Sequence, residues 1–456
     1  MDALNNSPLL AAPAALDRPA VIDGARTWSW GDVHAQANAL SAAFEQGATV
    51  CNLCDSRLAF IVTALAAMRR RCVQVLPPSA GPLDLNAMVR ANREPVVVVD
   101  NDAAHTEWSA RAQCIRFAPA ANPPSLVARW APDWDAPAMR LYTSGSTGAP
   151  EAHIKTMGQL ARGALALIAR LDRDVPGSVA SVGQVVCSVA PQHMFGLEAS
   201  VMLPLVAGIA VREGRPLLPA DVRDAFAHAG EGAGWIATPL HLRAYAQAGM
   251  KLPNAKFLLV STMPMSQGLA AQAEAFSDSP VLEIYGSTET GVVAMRRTAR
   301  EELWRPVAGV SLESTERGTL ARGGHFTSPC MLADHVQARA GGDFTLAGRD
   351  GDMVKIAGRR ASLASLNLCL QDLPGLGDGV LMLPPRGADT ERLVLVYSGP
   401  QLDRAMARRW LRERMDAVFV PREIIRVEKL PRTPNGKVAR AVLEEMVAAR
   451  AKGAAS

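Results

Sequence analysis

The sequence has almost no net charge. Its 48 lysines and arginines stand against 44 aspartates and glutamates in 456 residues, a formal +4. No run of five like charges occurs, and the densest basic cluster, "RRR" at 69–71, reads as a solvated helix end. That balance argues against a nucleic-acid partner held by charge, and against an electrostatic membrane partner. Long apolar runs are missing as well. The longest, such as "FIVTALAAM" at 60–68, fall well short of the roughly 20 residues that cross a bilayer, so no membrane insertion is expected. The N-terminal stretch "MDALNNSPLLAAPAALDRP" has no basic region ahead of its apolar part and does not read as a secretory signal. Cysteines are few: seven, at 51, 54, 72, 114, 187, 330 and 369. An odd, scattered set implies no disulfide framework. "CNLC" at 51–54 has no second pair to complete a zinc site and reads as a buried strand. Together these features suggest a reducing, cytoplasmic setting. There is no internal repeat and no low-complexity segment.

What is present is an alternation. Apolar, β-branched runs ("PVVVVD" at 95–100, "QVVCSVA" at 184–190, "GWIATP" at 234–239, "KFLLVS" at 256–261, "VLEIYG" at 281–286) read as buried parallel strands. Alanine-rich segments such as "MGQLARGALALIARL" and "PADVRDAFAHAG" between them read as helices. Alternating strand and helix predicts an α/β fold, with a largely parallel sheet covered on both faces. "ANPPSLVARWAPDWDAP" (121–137) reads as a connection. The length exceeds one compact core. After about residue 300 the chain becomes glycine-rich with short strands, and the last hundred residues mix strands with helices. We place a large domain at 1–348 and a small α+β domain at 349–456, with a glycine hinge in "GRDGDMVKIAG".

The chemistry is concentrated in "LYTSGSTGAPEAHIKT" (141–156). Thr143, Ser144, Gly145, Ser146, Thr147 and Gly148 form a loop of backbone amides and hydroxyls after a strand, an anion-binding concavity. A flexible Ser/Gly connector has the same composition. No lysine follows Gly148, so this is not the Gly-Lys-Ser/Thr loop. Four further stretches accompany it: "APQHMFGLE" (190–198), "IYGSTETG" (284–291), "LAGRDGDMVKIAGRR" (346–360) and "LPRTPNGKVAR" (430–440). Each has a plain reading on its own: a lone histidine in a turn is usually structural, and an Asn-Gly-Lys is usually a surface turn.

In this order and spacing, from about residue 15 to 445, the chain resembles the adenylate-forming superfamily of acyl- and aryl-CoA synthetases, peptide-synthetase adenylation domains and luciferases. The resemblance implies a large N-terminal domain of packed sheets with a small mobile C-terminal domain. It also implies a two-step reaction: a carboxylic acid is adenylated with ATP and Mg2+, and the acyl group then passes to a phosphopantetheine thiol of coenzyme A or a carrier protein. By resemblance, residues 143–148 cradle the outer phosphates. Tyr285, followed by Gly286, stacks on adenine, Thr288 lies near the α-phosphate, and Glu289 is the metal ligand. His193 lines the acyl pocket. Asp334, assisted by Arg349, grips the ribose, and Lys437 bridges carboxylate and α-phosphate.

The chain departs from the pattern at Glu151, where the family has lysine. Lys155 is a candidate replacement that swings back to the phosphates; the alternative is a solvated helix residue. "STMPM" (261–265) stands where the family is glycine-rich, and Met263 narrows the pocket floor. No aspartate sits where an amino-acid-activating domain binds the substrate ammonium, and Glu198 comes later than that position. His193, Trp235, Thr238, Met263 and Tyr285 suit an aromatic or medium apolar acid, as in compact bacterial AMP-ligases of aryl-polyene or pigment pathways. A ligase fold that has lost catalysis and kept nucleotide binding is the competing expectation.

Overall fold

The computed structural model describes residues 2–77, 95–124, 130–144, 150–230, 232–316, 318–349, 352–384, 392–432 and 438–453. Fifteen strands build its two main sheets: β1 (Pro19–Asp23), β2 (Arg26–Ser29), β3 (Thr49–Asn52), β4 (Val73–Leu76), β5 (Val96–Val99), β6 (Cys114–Arg116), β7 (Pro137–Ser144), β8 (Pro150–Thr156), β9 (Gln184–Cys187), β10 (Ala210–Arg212), β11 (Ala233–Ala237), β12 (Ala255–Val260), β13 (Val281–Ser287), β14 (Gly291–Arg296) and β15 (Arg305–Pro306). One sheet has the order β6-β5-β3-β4-β7-β8, parallel except for the edge strand β8. The other runs β15-β14-β13-β12-β11-β9-β10-β1-β2. It is parallel from β1 to β13 and closed by antiparallel strands at both edges.

Fully buried strands need apolar residues on both faces, which explains the unbroken runs at 96–99 and 257–260. Val96–Val99 and Gln184–Cys187 are buried throughout. Helix Met157–Asp174 carries a buried stripe of Leu160, Ala164, Leu167 and Leu171, and it packs in the core shared by the two sheets. On the opposite face of the larger sheet, Trp235 and Tyr245 anchor a second core with Phe226, Leu258 and Phe276. The expected α/β architecture is present. The seven cysteines are unbonded, and Cys51 lies buried on β3. Among the described residues no helix is long and apolar enough to cross a membrane.

Beyond β15 the sheets are small. Strands Val310–Thr315, Gly318–Gly323 and Cys330–Leu332 form one, and Asp334–Ala338 pairs with Phe344–Arg349. The last hundred residues hold a three-stranded sheet, Asp378–Met382, Val394–Ser398 and Glu423–Arg426, and a hairpin Met353–Ile356/Arg359–Ser362. Their cores draw only on residues after 353. This part is fastened to the rest at the start of helix Gln267–Ser277. There the Ser266 hydroxyl donates to Asp372 (2.7 Å), and the Gln371 side chain bonds both Ser266 N and Pro264 O.

Candidate active site

β13 and β14 form a hairpin whose turn carries Thr288 and Glu289. Hydroxyls staple it: Ser287 N donates to Thr290 Oγ1 (2.9 Å) and Thr290 N to Ser287 Oγ (3.3 Å). A Cβ at Gly286 would overlap the Gly291 carbonyl oxygen, and Gly291 has φ +71, so both ends of the turn require glycine.

At the base of this hairpin Tyr285 lies between Trp304 (5.5 Å between ring centroids) and Phe344 (5.8 Å). Its phenol donates to Asp334 Oδ2 (2.9 Å). Arg349 meets the same carboxylate with both guanidinium arms, Nε at 2.6 Å and Nη2 at 3.1 Å. Asp334 and Arg349 face each other because their strands pair in that register. Burial pushes the Tyr285 phenol well above its usual range, and the Asp334 carboxylate adds to the effect. The sequence-predicted trio of Tyr285, Asp334 and Arg349 is thus one connected group beside the Thr288–Glu289 turn.

His193 precedes helix Met194–Leu197 after β9, and its neighbour Met194 packs against Gly291. Thr143 and Ser144 end β7, paired with Glu151 and Pro150 across a hairpin. Gly145, Ser146, Thr147 and Gly148, and also Lys437 and the hinge glycine Gly351, lie outside the described residues.

Lys155 is not the solvated helix residue of the second expectation. It belongs to β8, a strand the sequence did not disclose, and not to the helix, which begins at Met157 with Thr156 as its cap. It is 4% exposed, and its ammonium donates to the Glu289 carbonyl, so it does not face solvent. On a strand, residues two apart share a face. His153 accordingly approaches the Glu289 carboxylate (Nε2–Oε1 3.5 Å), while Glu151 on the same face is exposed. Burial pulls the Lys155 ammonium below its usual range, with Glu198 and Glu289 opposing. Burial also pushes Glu289 up, but the Ser287 hydroxyl, its own N–H, His153 and Lys155 outweigh this and leave it below the ordinary carboxylate range.

Trp235 does not line a cleft. It is fully buried in the second core against Phe226 and Tyr245, its indole N–H donating to Ser188 Oγ (2.9 Å). Thr238 is engaged with His241 at a helix start. Met263 lies 4.0 Å (Sδ) from an Arg432 guanidinium nitrogen. Preceding it, Thr262 has φ +84, an uncommon conformation for a β-branched residue, where the sequence lacks the expected glycine. Sequence reasoning did not assign roles to Trp304, Phe344 or His325. Only Glu198 left a trace, as a carboxylate that comes later than the ammonium-binding position of amino-acid-activating domains.

A family model described as AMP-binding enzyme matches residues 11–317. A 4-coumarate–CoA ligase from Cereibacter sphaeroides is 27% identical over 65% of this chain and 69% of its own length. The p-hydroxybenzoic acid–AMP ligase FadD22 from Mycobacterium tuberculosis is 27% identical over 79% of this chain, which spans 56% of that protein. Among solved structures, ATP-bound MatB from Rhodopseudomonas palustris superposes with a TM-score of 0.82 at 19% identity, covering 98% of this chain and 99% of that one.

Proposed function

The chain belongs to the AMP-binding enzyme family, and on that footing we propose that it activates an aryl or medium-chain acyl carboxylic acid with ATP and passes the acyl group to a phosphopantetheine thiol, on coenzyme A or a carrier protein. A carboxylate oxygen attacks the α-phosphorus, and the bond to pyrophosphate breaks. The thiol then attacks the acyl carbon, and AMP leaves with the former carboxylate oxygen. The large domain, 1–348, supplies most of the nucleotide site, and the small domain, 349–456, brings Arg349 at its first position and Lys437.

The observation that carries this reading is the convergence of Tyr285, Asp334 and Arg349 beside a turn that presents a hydroxyl and an ionised carboxylate. Asp334 accepts from the two ribose hydroxyls, while Tyr285, held in place by Trp304 and Phe344, offers its ring to adenine. Thr288 donates toward the α-phosphate. The loop from Thr143 to Gly148 gives its amides to the outer phosphates, and His193 bounds the acyl group. Lys437 meets the carboxylate and α-phosphate together, where two anions must approach and charge builds up.

The donors suit a hard divalent ion. No group of three His, Cys, Asp or Glu side chains gathers among the described residues. Magnesium is commonly held by one or two carboxylates with phosphate oxygens and water, which matches Glu289 alone. When bound, the ion neutralises phosphate charge. The two relatives named above point toward aromatic acids, one by its CoA-ligase name and the other by its AMP-ligase name.

Glu151 favours a second reading, a nucleotide-binding protein without catalysis. Pyrophosphate release with ATP, Mg2+ and hydroxylamine, across benzoates, cinnamates and C4 to C12 fatty acids, separates the two. Acid-dependent release lost in Lys437→Ala supports adenylation. Nucleotide binding with no release for any acid supports the second reading.

A further inference from the structure

The turn that carries Thr288 and Glu289 is gripped from behind by three buried ionisable side chains on three separate elements. Lys155, on β8, donates to the Glu289 carbonyl. His325, after strand Gly318–Gly323, meets the Thr290 carbonyl through Nε2 (2.8 Å). Glu198, in the helical segment after Met194, accepts from Val292 N (3.1 Å). All three residues are about 4% exposed. A carbonyl oxygen only accepts, so His325 Nε2 carries the ring proton. Burial lowers the ring's pKa, which favours the neutral ring and leaves Nδ1 as a buried acceptor with no hydrogen-bond partner among the described residues.

The arrangement is closely fitted. Glu198 Oε1 lies 2.5 Å from where a Cβ on Gly291 would stand, and 3.3 Å from that of Gly163. Three of the four residues from 289 to 292, all but Gly291, thus have a backbone group fixed from outside the hairpin. His153 meets the Glu289 carboxylate itself. Burying a lysine and a glutamate is costly, and apolar residues of similar size often fold as well or better. Stability alone therefore does not account for the choice of these residues at this turn.

We propose that Lys155, Glu198 and His325 are positioning residues that clamp the backbone of the Thr288–Val292 segment and so aim Thr288 and Glu289 at the phosphates of the nucleotide. The inference rests on the reading of the site as a nucleotide site. It also places the cation of Lys155 at the Glu289 carbonyl, in a chain that has Glu151 where the family has lysine.

The test uses the full chain with Lys155→Met, Glu198→Gln and the double variant, in which neither charge is left buried without the other. Two measurements are made. The first is equilibrium binding of ATP with Mg2+ and, separately, of adenosine. The second is amide hydrogen exchange over residues 286–295 without nucleotide. The clamp predicts faster exchange in that segment for Lys155→Met and the double variant. It predicts ATP binding weakened about tenfold and adenosine binding unchanged, because adenosine has no phosphates for the turn to meet. Glu198→Gln keeps an acceptor for Val292 N–H and falls between wild type and the double variant. Unchanged ATP binding in the double variant, or equal losses for ATP and adenosine, overturns the clamp while leaving the functional reading intact. No ATP binding by the wild-type chain overturns the functional reading and the clamp with it.

Discussion

Asp334 is the residue on which the nucleotide reading is most exposed. One carboxylate gathers the Tyr285 phenol and both arms of Arg349. Arg349 is half exposed, and surface ion pairs contribute only about 0–1 kcal/mol. Asp334→Asn therefore changes the melting temperature little. A charged acceptor facing a ligand contributes more, about 1.5–3 kcal/mol per bond, so ATP affinity falls roughly 10- to 100-fold. Isothermal titration alongside thermal unfolding checks both. An unchanged ATP affinity would remove Asp334 from the nucleotide site. Its pairing with Arg349, 15 residues on, was legible in the sequence, which names the two together. Lys155 was not legible. The period-2 pattern of "PEAHIKT" is weak, with Ile154 exposed and Lys155 buried, the reverse of what polarity alone suggests.

Between elements, His34 ties three pieces together. It sits on helix Trp30–Ser41. Its Nε2 donates to Pro8 O (2.6 Å), and its Nδ1 accepts from Arg69 on helix Arg57–Arg69 (2.8 Å). The bond from Arg69 needs the neutral ring, because only an unprotonated Nδ1 accepts. Burial lowers its pKa from 6.5 to about 4; the Pro8 bond opposes this and the Arg69 charge adds to it. The folded pKa lies below the unfolded one, so the unfolded chain binds more protons between the two. The stability this residue contributes is present above pH 6.5 and is lost as pH falls to about 4, a change of about 3 kcal/mol. Urea midpoints at pH 7, 5.5 and 4.5 should fall with acid, and the fall should be shallower in His34→Gln. An identical slope in both proteins would contradict the assignment. The strands at this scale were read well wherever both faces are buried, as at 96–99 and 257–260. The edge strand β8 and the small hairpins after 310 were not, because one exposed face leaves only a short alternation to read.

Over the whole molecule, two mostly parallel sheets share one large core, with a second core behind the larger sheet and smaller cores in the last hundred residues. That layering follows from the alternation of apolar runs and helices and was legible from it. The placement of Trp235 was not. Alternate residues of a strand point to opposite faces, and the sequence does not say which face looks onto the site. The same layering brings β7, β8, β13 and β14, far apart in the chain, to one place where Lys155 reaches Glu289. The central claim is that ATP is used to adenylate a carboxylate. The most direct measurement follows oxygen: supply the accepted acid with both carboxylate oxygens as 18O, add ATP, Mg2+ and coenzyme A or a pantetheinylated carrier protein, and weigh the nucleotide product by mass spectrometry. The account predicts AMP carrying one 18O, heavier by about 2 mass units, because one carboxylate oxygen is transferred to the α-phosphorus and leaves with AMP. ADP with the label in free phosphate, or unlabelled AMP, would contradict it.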